Sequence, residues 1–386
     1  MTGFRAKLDY ILKHNKIIYR VFNVSMSFAM RLWGKFLSVD QKLILFSSLS
    51  RRYNDSPRKI YEFMINDPKY KDYNFVWALE DTSIDIPGNA IKVKADTYQY
   101  FRIALKAKYW VSAVNIERSL HFKKKDCIYL NTWHGSPIKC IGNDAKGRED
   151  YDFSDMNLFC YSGEYEKKIM IGAFKLQESA MLPVGLPRND ELYGYDGADS
   201  ESIKKRLGIA SDKKVILYAP TWRDSVDNGK TYAIAPPIDF DLWKKTLGEE
   251  YVILIRAHAY TNKVMNITFD DKVVDVSLYP SINELFKISD ILISDYSASV
   301  IDFSILERPI ICFAYDYEEY KSERGLYWDL EREMPNGVMR NELEVLQHIL
   351  TMDYVEDSKK TKSLKSKYNQ YGGNATQECV KALFEN

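Results

Sequence analysis

Residues able to move protons or hold phosphate recur just after apolar runs in this sequence. His134 stands in NTWHGSPIKCIG, directly behind CIYL, and the following glycine and proline end an extended segment sharply. A ring so placed is presented at a loop lip and is not buried in a sheet face. His258 closes YVILIRAH, where termination of an apolar run again brings an imidazole to an edge. The same position after other runs carries Ser136 and Lys139, then Arg188 and Asn189 in VGLPRND. It also carries Thr221 and Arg223 in YAPTWRD, Arg256, and Asp295, Ser297 and Ser299 in LISDYSASVIDF. Imidazoles, guanidiniums and hydroxyls together suit proton transfer beside a phosphate. By contrast, His121 lies in the charged RSLHFKKKD and His348 in the helical NELEVLQHILTM, so both read as surface or packing residues.

What must position such a set is a parallel sheet, because ligands of open α/β sheets lie beyond the carboxyl ends of the strands. Short apolar strands do alternate with helical stretches: KLILFSS, SPRKIYEFMIND, NFVWAL and TYQYFRIALKAK first, then CIYLNTW, MNLFCYSG and AMLPVGLPRND. The pattern breaks at the polar YGYDGADSESIKKR and resumes with VILYAPTW, YVILIRAH, VVDVS, ILISDYS and PIICFAYD. The reading is α/β, with two Rossmann-like domains facing a cleft. Residues 41–195 form the first, and residues 196–386 the second with a closing C-terminal helix.

A chain of 386 residues fits two such domains. Lys plus Arg equals Asp plus Glu at 54 each, so no global field draws the chain to nucleic acid, and none is expected as a partner. The five cysteines show no C-x-x-C spacing and read as reduced thiols, neither a disulfide frame nor a zinc site. No apolar run reaches the roughly 18 residues of a membrane span, which places the expected protein on the cytoplasmic side.

Residues 1–40 are one-sided, with seven Lys or Arg against two Asp. Read as a helix over 4–37, they put Phe4, Leu8, Ile11, Ile18, Phe22, Met26, Ala29, Trp33 and Leu37 on one arc, with Lys13, Lys16, Arg20, Arg31 and Lys35 opposite. Such an amphipathic helical segment serves either an anionic membrane surface or a protein interface, a homo-oligomer included.

The stretches TWHGSPIK, VGLPRND, YAPTWRD, RAH, LISDYSASVIDF and RPIICFAYD, in that order, resemble the CDP-glycerol glycerophosphotransferase family of teichoic acid primases and polymerases. YNDSPRKIYEFM is similar to that family's helix start upstream, so the resemblance runs from about residue 42 to the C-terminus. It implies a GT-B-like fold with the CDP donor on the C-terminal half and the acceptor on the N-terminal half. It implies transfer of a polyol phosphate, glycerol phosphate first, from a CDP-polyol to a hydroxyl of a lipid-linked or polymeric acceptor, in teichoic acid or capsule synthesis at the inner face of the cell membrane. His134 and His258 are then the catalytic candidates, His134 as base and His258 at the donor pyrophosphate. Arg223, Arg256, Ser297, Ser299, Asp295 and Thr221 fall on the donor side, and Ser136, Lys139, Arg188 and Asn189 on the acceptor or cleft side. Two departures stand out: Ser136 where the family usually has threonine, and Ala298 where it usually has a second serine. No tightly bound metal is expected, although a magnesium ion carried by the donor pyrophosphate is compatible. The competing readings are a GT-B glycosyltransferase using a nucleotide sugar and a non-catalytic membrane-surface scaffold.

Overall fold

The computed structural model describes residues 15–148, 150–221, 237–257 and 267–385. Its first sheet has seven strands in the order β3-β2-β1-β4-β5-β6-β7: β1 Asp40–Ser47, β2 Asn74–Leu79, β3 Ile91–Lys94, β4 Ala107–Ser112, β5 Ile128–Asn131, β6 Leu158–Tyr161 and β7 Met181–Pro183. The second has six in the order β10-β9-β8-β11-β12-β13: β8 Lys214–Tyr218, β9 Tyr251–Ile255, β10 Val273–Asp275, β11 Ile291–Ser294, β12 Ile310–Phe313 and β13 Val338–Met339. Every strand pair in both sheets is parallel.

Continuous apolar strands follow from burial on two faces. In the first sheet Leu43 and Leu45 point into one core with Trp110, Tyr129 and Phe174, while Ile44 and Phe46 point into another with Tyr61, Trp77 and Val380. The second sheet repeats the arrangement, Val215 and Leu217 on one side and Ile216 and Tyr218 on the other. The helices that matter below are α1 Lys16–Lys35, α2 Asp55–Ile65, α3 Tyr98–Lys106, α4 Glu164–Phe174, α5 Ser200–Arg206, α6 Phe240–Leu247, α7 Ile282–Ile288 and α8 Ser299–Ser304. Beyond them come α9 Tyr317–Arg324, α10 Leu330–Glu333, α11 Glu342–Thr351, α12 Tyr354–Tyr368 and α13 Ala375–Glu385.

Two expectations are corrected. The C-terminal helix does not close the second unit. After α12 the chain crosses back, and α13 buries Ala375, Cys379, Val380 and Leu383 against the first sheet, with Cys379 Sγ 3.3 Å from Cys160 Sγ. Asp190 fixes the start of α13 by accepting hydrogen bonds from the Ala375 and Thr376 amides, both at 2.8 Å. The apolar arc assigned to the N-terminal segment is also displaced. Its residues up to 14 lie outside those described. Within α1 the side packed on the first domain runs through Asn23, Ser27, Met30, Trp33 and Gly34, and the expected Ile18, Phe22, Met26 and Ala29 are exposed. The helix is apolar around most of its circumference, so periodicity alone cannot choose its buried face; the Asn23 side chain bonded to the Ser119 carbonyl does.

Candidate active site

β5 ends in a chain reversal that aims His134. Trp133 takes a left-handed backbone, φ 53°, and its amide donates to Asn131 Oδ1 at 2.7 Å. Its ring lies 4.1 Å from that of His134 and 4.6 Å from that of Phe174, so the indole is a wall between the core and the imidazole. His134 Nδ1 lies 2.9 Å from the Ala113 carbonyl, which can only accept. Nδ1 therefore carries the proton and Nε2 keeps its lone pair. Burial is the main cause that lowers the His134 pKa; the Ala113 carbonyl and Asp55 oppose it, and Arg188 and Lys139 reinforce it. A half-buried, neutral imidazole whose Nε2 has no partner among the described residues can serve as a general base.

The next residue brings the two halves together. A Cβ built on Gly135 would stand 2.7 Å from the Ala298 Cβ, at a backbone φ of 142° that side chains rarely adopt. Only glycine lets the His134 loop lie against the Ser297–Ala298–Ser299 turn, and the methyl of Ala298 is the group it meets. Ser297 Oγ accepts from the Ser299 amide at 3.2 Å and donates to Ser299 Oγ at 2.9 Å, so the first serine closes the turn into α8. Beside it, Asp295 Oδ1 accepts from the amides of Thr221 at 2.8 Å and Tyr296 at 2.7 Å, which joins the ends of β8 and β11. Arg256 Nη1 donates to the carbonyls of Val276 at 3.1 Å and Tyr279 at 2.7 Å, and among the described residues it has no carboxylate partner.

Three residues expected to line the cleft, Arg188, Asn189 and Ser136, prove to build it. Arg188 is an interior joint: Nη1 donates to Asp55 Oδ2 at 2.8 Å and to the His134 carbonyl at 3.0 Å, and Nη2 donates to Asp302 Oδ2 at 2.6 Å. Asn189 Nδ2 donates to the other Asp302 oxygen at 2.7 Å. One guanidinium thus ties the start of α2, the backbone of His134 and α8 of the second sheet. Ser136 is buried and donates to Glu166 Oε2 at 3.0 Å, which also accepts from the Ser162 amide at 2.7 Å. Burial raises the Glu166 carboxyl to about 7. Lys139 lies on a short antiparallel bridge to Leu326 that sews the same loop to the second half.

His258 and Arg223 lie outside the described residues. Among those described, no group of three or more His, Cys, Asp or Glu could hold a metal ion. His121 and His348 have structural surroundings: the His121 amide donates to Ser27 Oγ, and His348 Nε2 lies 2.6 Å from Asp357 Oδ2. Asp55, Asp302 and Glu166 were not singled out from the sequence. Asp55 and Asp302 could have been sought as carboxylates in the first turns of helices beginning at strand ends, YNDSP and SASVIDF, since a buried arginine in VGLPRND needs counter-charges.

Comparison with known proteins matches residues 27–385 to the family "CDP-Glycerol:Poly(glycerophosphate) glycerophosphotransferase". A teichoic acid poly(glycerol phosphate) polymerase of Bacillus spizizenii is 30% identical over 98% of this chain and 99% of its own. One of Staphylococcus epidermidis is 34% identical over 83% of this chain, and the match spans only 47% of that protein. A teichoic acid glycerol-phosphate transferase of Staphylococcus aureus is 32% identical over 81% of this chain and 85% of its own. Among solved structures, the wall teichoic acid polymerase TagF superposes with a TM-score of 0.81 at 31% identity, covering 99% of this chain and 97% of its own. These likenesses agree with the GT-B-like pairing of the two sheets.

Proposed function

Because the chain belongs to the CDP-glycerol:poly(glycerophosphate) glycerophosphotransferase family, we propose that it transfers glycerol phosphate from CDP-glycerol to a hydroxyl of a lipid-linked or polymeric acceptor. The observation that carries the reading is the His134 imidazole, fixed on the Ala113 carbonyl beside the contact of the two halves, its Nε2 without a partner among the described residues. In the reaction the acceptor oxygen attacks the phosphorus that bears glycerol and Nε2 takes its proton. The bond from that phosphorus to the bridging oxygen breaks, CMP departs with the electron pair, and a phosphodiester remains. The charge of the donor pyrophosphate is met by Arg256 and the hydroxyls of Ser297 and Ser299, with Arg223 and His258 assigned there by the family resemblance. Positioning and charge stabilisation are what phosphoryl transfer chiefly requires.

Glycerol is favoured over ribitol by the relatives themselves: the glycerol-phosphate enzymes are 30–34% identical to this chain and the ribitol-phosphate enzymes 25–31%. CMP release and product mass across CDP-glycerol, CDP-ribitol and UDP-sugars test the proposal. Turnover of a UDP-sugar with none of any CDP-polyol would replace it by the glycosyltransferase reading.

We also infer that α1 docks the enzyme on the inner face of an anionic membrane, where a lipid-linked acceptor would lie. No described helix is long and apolar enough to cross a membrane. The outer side of α1 nevertheless exposes Ile17, Val21, Phe28, Leu32 and the adjoining Phe36, with Arg20, Arg31 and Lys35 beside them. The triple substitution Val21→Ser, Phe28→Ser, Leu32→Ser should leave the fold intact and abolish co-sedimentation with anionic vesicles. Dissociation of an oligomer by the same substitutions, with vesicle binding kept, would assign the face to protein.

A further inference from the structure

We propose that Arg51 is an acceptor-side anion anchor, binding the phosphate next to the acceptor's attacking hydroxyl; the assignment to the acceptor rests on the transferase reading above. Arg51 follows β1, at the point where the order of the first sheet reverses between β1 and β4. In open parallel sheets that is the crevice in which ligands sit. The corresponding reversal of the second sheet, between β8 and β11, is where Thr221, Asp295 and the serine turn gather. The two halves therefore present two sites, and the donor reading accounts for one.

The environment of Arg51 is unlike that of a structural arginine. It is 8% exposed, yet Nη1 donates to Ser47 Oγ and Nη2 to the Asn115 carbonyl at 3.2 Å, both neutral acceptors. With two of the five guanidinium donors so engaged, three have no protein partner and no carboxylate pairs with it among the described residues. The nearby Tyr100 ring, its centroid 5.8 Å from Cζ, supports the cation without neutralising it. Arg188, equally interior, has two carboxylates. Burying a cation without a counter-charge is unfavourable, so the site is completed by an anion from outside the chain. The backbone agrees: Ser50 and Arg51 both take left-handed conformations, φ 54° and 53°, strain of the kind that collects where a side chain must be aimed.

Arg51 and His134 are tied to one short segment of backbone. His134 is anchored on the Ala113 carbonyl and Arg51 on that of Asn115, two residues along the same segment. Equivalent backbone atoms two residues apart are at most about 7 Å from each other. An anchor at Arg51 requires a polyol phosphate end to span the two, its hydroxyl at Nε2 and its own phosphate at the guanidinium.

The test uses Arg51→Gln, which keeps hydrogen-bonding capacity and removes the charge, and Arg51→Lys, which keeps the charge. Acceptors are a soluble glycerophosphate-terminated glycoside and the same glycoside ending in unphosphorylated glycerol. Arg51→Gln should raise KM for the phosphorylated acceptor roughly 10–100-fold, the usual worth of a charge-assisted contact. It should leave KM for the neutral acceptor and CMP release from CDP-glycerol to water unchanged, and Arg51→Lys should restore part of the loss. Equal loss on both acceptors, or an equal loss of donor hydrolysis, would overturn the proposal. Titration calorimetry with glycerol 3-phosphate gives a readout free of turnover: binding by the wild type that weakens about tenfold in Arg51→Gln upholds the anchor even if CDP-glycerol proves not to be the donor. Binding that is absent, or the same in both proteins, rejects it.

Discussion

The two edges of the cleft are built differently. The His134 edge is held from far along the chain: Ala113 fixes the ring, Arg188 holds its carbonyl, and Asp55 and Asp302 hold Arg188. The serine edge is held locally, Ser297 bonding Ser299 and Asp295 bonding Tyr296, with the Thr221 contact as its cross-link to the neighbouring strand. The edge proposed to move a proton is over-determined, whereas the edge proposed to meet the donor is made of short turns that a ligand's charge can complete. A base works only within hydrogen-bond reach of one oxygen, while a pyrophosphate can be met by several donors.

The strongest test of this contrast is Arg188→Ala, which leaves Asp55 and Asp302 buried without a cation. It should destabilise the protein by about 3–5 kcal/mol, read as a fall in the denaturation midpoint, and should abolish turnover. If the fold is lost outright, Arg188→Lys, with a charge but no fork, should recover stability more than activity. Next, His134→Ala should leave folding and CDP affinity unchanged and lower kcat by roughly 10²–10⁴. Near wild-type CMP release would remove the base from the mechanism. On the other edge, Arg256→Gln should weaken CDP-glycerol binding about tenfold in calorimetry with only a small effect on stability, and unchanged affinity would place the donor elsewhere.

Smaller effects come from protons. Because burial lowers the His134 pKa, the neutral form persists below the ordinary imidazole value of about 6.5. The pH profile of kcat/KM should therefore be flat through neutrality and fall only in more acidic solution. Glu166 runs the other way. Its carboxyl is raised to about 7 in the fold, so its favourable contribution is present in acid and is lost as pH rises through 7. Glu166→Gln should flatten that loss, leaving a variant relatively more stable than wild type at pH 8 than at pH 5; an unchanged pH dependence would show that another group is responsible.

Most of the architecture was legible in the sequence because parallel strands buried on two faces must be apolar throughout. Runs such as LILF, VILY and YVILI can hardly be anything else. The short edge strand β3, IKVK, escaped because a half-exposed strand carries no such run. His134 was legible for a related reason: an imidazole before glycine and proline at a strand end has few structural uses. The sequence places Arg188 and Asn189 at the cleft because spacing shows that a residue follows a strand, not which way its side chain turns.

The sequence by itself determined two parallel sheets and the strand ends at which the candidate residues stand, the histidine proposed as base among them, since these depend on local pattern and on the burial each strand requires. Tertiary structure alone decided the rest. It showed which face of α1 packs and where the last helix returns. It made Arg188 a joint between Asp55 and Asp302 and left Arg51 and Arg256 without carboxylates among the described residues. Whether a buried charge is answered from within the chain depends on groups 114 or 133 residues away, as for Arg188, and no local pattern encodes which of them will meet it.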